Sequence, residues 1–145
     1  MIAVDTNVLV NAHRSDALFH DAAKRSIQTL AEGRAAWALP WPVVHEFLSI
    51  VTHPRIYKPP TPLDAALAQV QAWMGSPSLQ LIGETPNHWP ELANLLREAR
   101  VAGPMVHDAR IAAICLEHGV RELWSADRDF GRFPGLRVVN PLVAT

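Results

Sequence analysis

Cysteine is nearly absent from this chain: Cys115 is the single one among 145 residues, which excludes any disulfide within the chain. It stands in an apolar helical stretch without the motif residues a thiol nucleophile needs, so it reads as a core residue. Long hydrophobic runs are missing as well. Although 49% of the residues are apolar, no run approaches the roughly 20 apolar residues of a membrane span, and the N-terminus opens directly on a strand-like segment. The expectation is a soluble, cytoplasmic protein with no membrane association. Neither sign of charge dominates. Fourteen acids against thirteen bases give a net charge of −1, which argues against gripping nucleic acid by bulk electrostatics. Lysine is scarce too: among the thirteen basic residues only Lys24 and Lys58 are lysines, and arginine is the better bidentate partner for phosphate or carboxylate. There is no internal repeat and no low-complexity tract.

What is present fits one domain over 1–145, a length that buries roughly two thirds of the surface of the unfolded chain without needing a metal or disulfide to fold. IAVD reads as a short β-branched strand, with Asp5 to Asn7 as a turn into the helical segment VLVNAHR. His20 to Glu32 carries Ala23, Ile27 and Leu30 at helical spacing and stops at Gly33. WALP is a second strand. Pro42 suits a first helical turn, and Val43 to Val51 is a helix apolar on most sides. PRIYKPPTP is read as a loop between helices rather than a domain linker, because acidic sites lie on both sides of it. Leu63 to Met74 forms a helix, LQLI a strand, and Trp89 to Val101 a helix closed by Gly103 and Pro104. Val106 to His118 follows as a helix stopped by Gly119, and ELWSA and LRVVN are the last strand candidates. Strands alternating with helices predict an α/β fold, a central parallel sheet of four or five strands flanked by helices on both faces.

Four acids in separate segments mark the ends of these elements: Asp5 in IAVDTN, Glu46 in PVVHEFLSIV, Asp108 in VHDARIAAICL and Asp127 in ELWSADRDF. Ligands of an open α/β sheet bind outside the carboxyl ends of its strands, where Asp5 and Asp127 fall. At ~100° per residue, Asp108 shares a helix face with Ile111, Ala112 and Cys115, and Glu46 with Val43 and Ile50. Those are inward-looking faces, on which an unpaired carboxylate is expensive. Each acid also has an ordinary explanation. Asp5 and Asp127 could be helix caps, Asp108 a first-turn acid favouring the helix dipole, and Glu46 half of a buried pair with Arg110 or Arg128. Four acids converging together point instead to a cation. Oxygen-only ligation suits Mg²⁺ or Mn²⁺, ions that commonly bind substrate phosphate, and phosphodiester hydrolysis is the natural chemistry. Zinc fits less well, because His45-Glu46 begins like HExxH but Ser49 stands where the second histidine belongs.

Four segments, DTNVLV, PVVHEFLSIVTHP, VHDARIAAICLEHG and LWSADRDFGRFPGLRVVNP, together resemble a PIN-domain ribonuclease of the VapC toxin type, a likeness that covers essentially the whole chain. The resemblance implies a Mg²⁺- or Mn²⁺-dependent endoribonuclease that cleaves RNA, inhibits translation and growth, and is neutralised by a cognate VapB-type antitoxin. Carried over by position, it implies metal-binding and catalytic roles for Asp5, Glu46, Asp108 and Asp127. Asp129 is a fifth metal-ligand candidate competing with Asp127. Thr6, Asn7 and Ser125 are candidates for orienting ligands or bound water, with turn and cap roles as the alternative. A metal-held water is expected to attack the RNA phosphorus with no covalent intermediate.

RNA itself leaves no signature in the sequence. Arg110, Arg128 and Arg132 stand near the acids and could meet phosphate, or equally pair with structural carboxylates. Of the tryptophans, Trp37 and Trp124 read as core because they sit in strands, while Trp73 and Trp89 could line a protein interface. The resemblance also implies a homodimer, and an antitoxin segment in an apolar groove placing a basic side chain over the acidic pocket. Residues Val8 to Phe19 and Ile56 to Trp73 are the candidates for that groove. Two other readings stand beside it. A haloacid-dehalogenase-like phosphatase wants a second Asp two residues after the first, where this chain has Asn7. A non-catalytic acidic-pocket binding module leaves Glu46 unexplained.

Overall fold

A computed structural model describes residues 1–143, so the last two residues of the domain expected over 1–145 lie outside the described part. The chain runs β1 (Ile2–Val4), α1 (Thr6–His13), α2 (His20–Glu32), β2 (Trp37–Pro40), α3 (Trp41–Val51), α4 (Leu63–Met74), β3 (Leu79–Ile82), α5 (His88–Ala99), α6 (Met105–Glu117) and β4 (Glu122–Trp124). A 3₁₀ turn (Arg128–Arg132) and β5 (Arg137–Val139) complete it. All strand pairs are parallel and form one five-stranded sheet in the order β3-β2-β1-β4-β5. The first half of the chain therefore builds outward from β1 on one side and the second half on the other. All four residues of β2 are buried, so helices cover both faces of the sheet there, as parallel strands require. The fold is the expected α/β architecture.

Local signals account for most boundaries. Gly33 ends α2 where expected, and Pro42 sits in the first turn of α3. At the carboxyl end of the sheet the connections are minimal. Only Asp5 separates β1 from α1, and β2 passes into α3 with no residue between them. Several boundaries shift: α3 begins at Trp41 rather than Val43, and β4 and β5 are shorter than ELWSA and LRVVN. The first helix begins at Thr6 rather than Val8, because Asp5 holds the extended backbone of a helix-preceding residue (φ −88°, ψ 165°). The fifth helix stops at Ala99 instead of Val101, since Arg100 turns left-handed at φ 53° and breaks the helical ladder before Gly103 is reached.

The core gathers both halves of the chain. Phe47 of α3 is fully buried, its ring edge-on to Trp73 of α4 at 4.8 Å and to His13 of α1 at 5.4 Å. Trp73 is thus core and not an interface residue, because α4 packs on α3 through the face that carries it. Trp124 is only half-buried, since β4 is a short strand near the sheet margin, whereas Trp89 is 72% exposed. Cys115 is buried as expected, and burial pushes its thiol up to about 12. α6 is fastened at its far end by Glu117, which accepts hydrogen bonds from the Thr85 N–H (2.9 Å), the Thr85 hydroxyl (2.7 Å) and His88 Nδ1 (2.7 Å). Burial opposes that charge, but these donors outweigh it and hold the carboxyl below its ordinary range. Among the described residues no helix is long and apolar enough to cross a membrane.

Phe47 joins three helices, so Phe47→Ala should cost about 3–5 kcal/mol of stability, measured by denaturant unfolding, with little change in the slope of the transition.

Candidate functional site

The strand order reverses between β1 and β4, and a parallel sheet splays a crevice open at such a switch point. Asp5 leaves β1 there, its N–H donating to the Trp124 carbonyl of β4 (2.9 Å). A compact hydrogen-bond network then links the two strand ends. The Ser125 hydroxyl donates to Asp5 Oδ2 (2.7 Å) and accepts from the Asp127 N–H (3.0 Å). Asn7 Nδ2 lies 3.2 Å from both Asp5 Oδ2 and Ser125 Oγ, and Asn7 Oδ1 accepts from the Ala126 N–H (3.0 Å). Thr6 reaches the other way, donating its hydroxyl to Glu46 Oε2 on α3 (2.9 Å). The three residues expected to orient ligands therefore each hold a neighbour in place: Ser125 and Asn7 the carboxylate of Asp5, Thr6 that of Glu46. No buried side-chain nitrogen or oxygen among the described residues lacks a partner.

Asp5, Glu46, Asp108 and Asp127 line one cleft of about 250 Å³, together with Thr6, Asn7, Asn11, Val10 and Ile50. A wider cavity of about 690 Å³ adjoins it, sharing Glu46 and Asp108 and adding Asp129. The two tail acids thus divide: Asp127 faces the cleft that holds Asp5, and the exposed Asp129 faces the wider cavity. Asp127 is also the cap of the 3₁₀ turn, accepting the Asp129 N–H (2.9 Å), so its capping role is met. Asp5 makes no such cap bond, and Asp108 does lie in the first turn of α6.

Their charges press on one another. Asp5, 5% exposed, is pushed up to about 6, first by burial and then by the charges of Glu46 and Asp108, against the pull of the Ser125 hydroxyl and the Thr6 backbone. Asp108 is likewise raised to about 6 by burial, then by Asp127, Glu46 and Asp129, with His107 opposing. All-oxygen donors in mutual repulsion fit a hard divalent cation. Among the described residues, no three His, Cys, Asp or Glu side chains are grouped closely enough to hold an ion as they stand. Asp5, Glu46, Asp108 and Asp127 are the residues that would hold such an ion, and bound water would complete the set, as is common for Mg²⁺.

Several expectations need correction. Glu46 is exposed rather than inward-looking, because its side of α3 opens onto the cleft. Its partner is Thr6, and the proposed pairing with Arg110 or Arg128 does not form. Arg110 pairs with Glu84 (Nε to Oε1, 2.5 Å), across the rim of the wider cavity. Arg132 donates to the sulfur of Met105 (3.2 Å), and Arg128 is exposed on the 3₁₀ turn. His45 and Ser49, which the sequence raised only to set zinc aside, and Met105 and His107, which it did not single out, all line the wider cavity. The available signal was adjacency, since His45 precedes Glu46 and His107 precedes Asp108.

Known proteins resemble this chain over nearly its whole length. The family model described as PIN domain matches residues 2–136. Ribonuclease VapC48 of Mycobacterium tuberculosis is 32% identical over 137 residues, covering 94% of this chain and 94% of the relative. Ribonuclease VapC43 of the same species is 34% identical over 142 residues, covering 98% and 96%. Among solved structures, VapBC2 from Rickettsia felis bound to a DNA fragment from its promoter superposes with a TM-score of 0.71 at 19% identity, covering 97% of this chain and 98% of that one. Mycobacterium tuberculosis VapC20, a Sarcin-Ricin loop cleaving toxin, gives 0.67 at 18%, covering 94% and 99%. At those identities the structural likeness speaks for the fold alone.

The repulsion has a measurable consequence for the metal-free protein. A carboxyl with pKa near 6 when folded, against an ordinary 3.8, binds more protons folded than unfolded between those values. Stability therefore falls as pH rises from about 4 through about 6 and stays lower above it. In EDTA, Asp5→Asn should reduce this dependence, leaving the share of Asp108, and gain on the order of 1–3 kcal/mol at neutral pH. Thermal unfolding of both proteins at pH 5 and 7.5 reads it.

Proposed function

The chain belongs to the PIN-domain family, and we propose that it is a divalent-metal-dependent endoribonuclease acting as the toxin of a type II toxin-antitoxin pair. One observation carries the reading: in a PIN-domain chain, Asp5, Glu46, Asp108 and Asp127 line a single cleft at the switch point of the sheet. The relatives that match nearly the full chain are VapC ribonucleases. Neither alternative draws comparable support. A phosphatase of the haloacid-dehalogenase kind lacks its second Asp at Asn7, and a simple binding module leaves the convergence of four acids without a use.

In this reading the cleft holds Mg²⁺ or Mn²⁺ through Asp5, Asp108, Glu46 and Asp127, with Asp129 at the margin. The ion, when bound, supplies the charge that steadies the phosphoryl oxygens and favours ionisation of an attacking water. The chain's own work is positional. Asp5 is kept at one angle by Ser125 and Asn7, and Glu46 is anchored by Thr6. Because both carboxylates stand on elements joined to the sheet by at most one residue, little slack separates the acids from the rigid scaffold. Arg128 and Arg132 are proposed to meet backbone phosphates on the 3₁₀ turn, with Arg110 doing so only on releasing Glu84.

A VapB-type antitoxin is the proposed partner, RNA the substrate, and a homodimer of one PIN domain per chain the assembly, in the cytoplasm. Leu18 and Phe19 on one segment and Ile56, Leu63 and Leu67 on the other leave apolar side chains exposed along Val8 to Phe19 and Ile56 to Trp73, which supports that groove for the antitoxin.

Cleavage of total RNA and of a tRNA pool tests the activity. It should require Mg²⁺ or Mn²⁺ and fall more than roughly 100-fold in Asp5→Asn and Asp108→Asn. Persistence in EDTA and in both variants would sink the metal-nuclease reading. Induced expression should arrest growth, relieved by co-expressing the neighbouring gene. Ser125→Ala, which frees the Asp5 carboxylate, should lose about 10- to 100-fold in cleavage rate while binding RNA normally.

A further inference from the structure

The wider cavity beside the acids has a lining that ion binding does not explain. One wall is a single stripe of α3, Pro42, His45 and Ser49, at helical spacing around Glu46. The opposite wall, from the start of α6, presents Met105 and Ile111 at helical spacing around Asp108. The result is a slot between two helices with apolar sides and polar edges. At about 690 Å³ it falls within the roughly 300–1,000 Å³ of sites that enclose an organic ligand. A phosphate needs no apolar wall, and the one arginine of the lining, Arg110, is already paired with Glu84, so the carboxylates of Glu46, Asp108 and Asp129 disfavour a second anion. A neutral, flat group with apolar faces and hydrogen-bonding edges matches both features.

We infer that this cavity seats one unpaired nucleoside of the RNA, base inward, next to the phosphodiester that is cut. The inference rests on the nuclease reading, and it names what that reading leaves open: the part of the substrate gripped besides the phosphate. Glu46 and Asp108 belong to the cleft and the cavity alike, so an occupant of the cavity lies one nucleotide's reach from a phosphate held at the acids. Met105 and Pro104, over the buried Ile111, give the base an apolar bed, while His45, Ser49 and His107 stand where its edges fall. Just outside, the Trp41 ring lies 6.1 Å from the His45 ring at a 32° tilt and is partly exposed, extending the surface on which a neighbouring base can stack. A base inside a duplex is stacked and paired and cannot enter, so the cavity selects loops, bulges and single strands.

Met105 supplies a reporter, as the chain has three methionines and the other two lie outside this cavity. With methyl-labelled methionine in magnesium buffer, adenosine or uridine 5′-monophosphate should shift the Met105 methyl resonance and leave Met1 and Met74 still, while ribose 5-phosphate should shift none. Ser49→Phe, which fills the cavity from an exposed position, should abolish the shift, and His45→Ala should weaken it. In cleavage, an abasic residue on one side of the cut should lower wild-type kcat/KM about 10-fold and add no loss in Ser49→Phe. Equal response of Met105 to ribose 5-phosphate, or no response to either, overturns the inference. So does a Ser49→Phe variant that cleaves normally and loses only neutralisation by its protein partner, which would make the slot a peptide seat. A wild type that cleaves no RNA yet shows the base-dependent shift removes the nuclease reading and keeps the cavity assignment.

Discussion

The hydroxyl of Ser125 ties together the ends of β1 and β4, strands contributed by opposite halves of the chain. It accepts from the backbone beside Asp127 and donates to Asp5, so one small side chain fixes the spacing of two acids 122 positions apart in sequence. Everything else at the site is arranged about that tie. Asn7 braces it from α1, and Thr6 carries the constraint across to Glu46 on α3. α6 completes the ring, its Asp108 set against Glu46 and its far end fastened by Glu117. A network of this kind tolerates the burial of Asp5 because donors surround the charge, yet it does not neutralise that charge. The protein thus keeps a locally unfavourable arrangement that its core must outweigh, a common bargain at functional sites.

Much of the fold was legible in the sequence where the signal was local. The helix from His20 to Glu32 announced its own end with Gly33, and WALP and LQLI showed as strands by composition and flanking turns. The acids were legible because each occupied an element end or an apolar helix face, positions where carboxylates carry a cost. What periodicity could not say was what lay across from a given face. Glu46 shares a stripe with Val43, but the neighbouring helix stands off and leaves an opening there, so the residue is exposed. Trp73 shows the converse, buried because α4 turns that side toward Phe47. Partner choice failed for the same reason: Arg110 pairs with Glu84, 26 positions away, and nothing in the spacing selects that acid over Glu46.

On the function proposed above, the charge distribution would have to reconcile a nearly neutral chain with a polyanionic substrate. A net charge of −1 gives little long-range attraction, and the crowded acids make the local field at the cleft unfavourable to phosphate. Affinity for RNA would then come from contacts made close in: a bound cation, a few arginines at the rim, and apolar or stacking surface.

The direct passage of β2 into α3, and the single residue between β1 and α1, bear on how this architecture diversifies. An inserted residue at either junction would rotate Glu46 or Thr6 by about 100° around its helix and slide it 1.5 Å along the axis, with no loop to absorb the change. Length variation is therefore barred from the floor of the site. Longer connections such as 14–19, 52–62 and 83–87 have room to absorb a change of length. The rim of the cleft can therefore be remodelled by loop length while the placement of its acids stays fixed, because the tolerant and the intolerant connections are different segments.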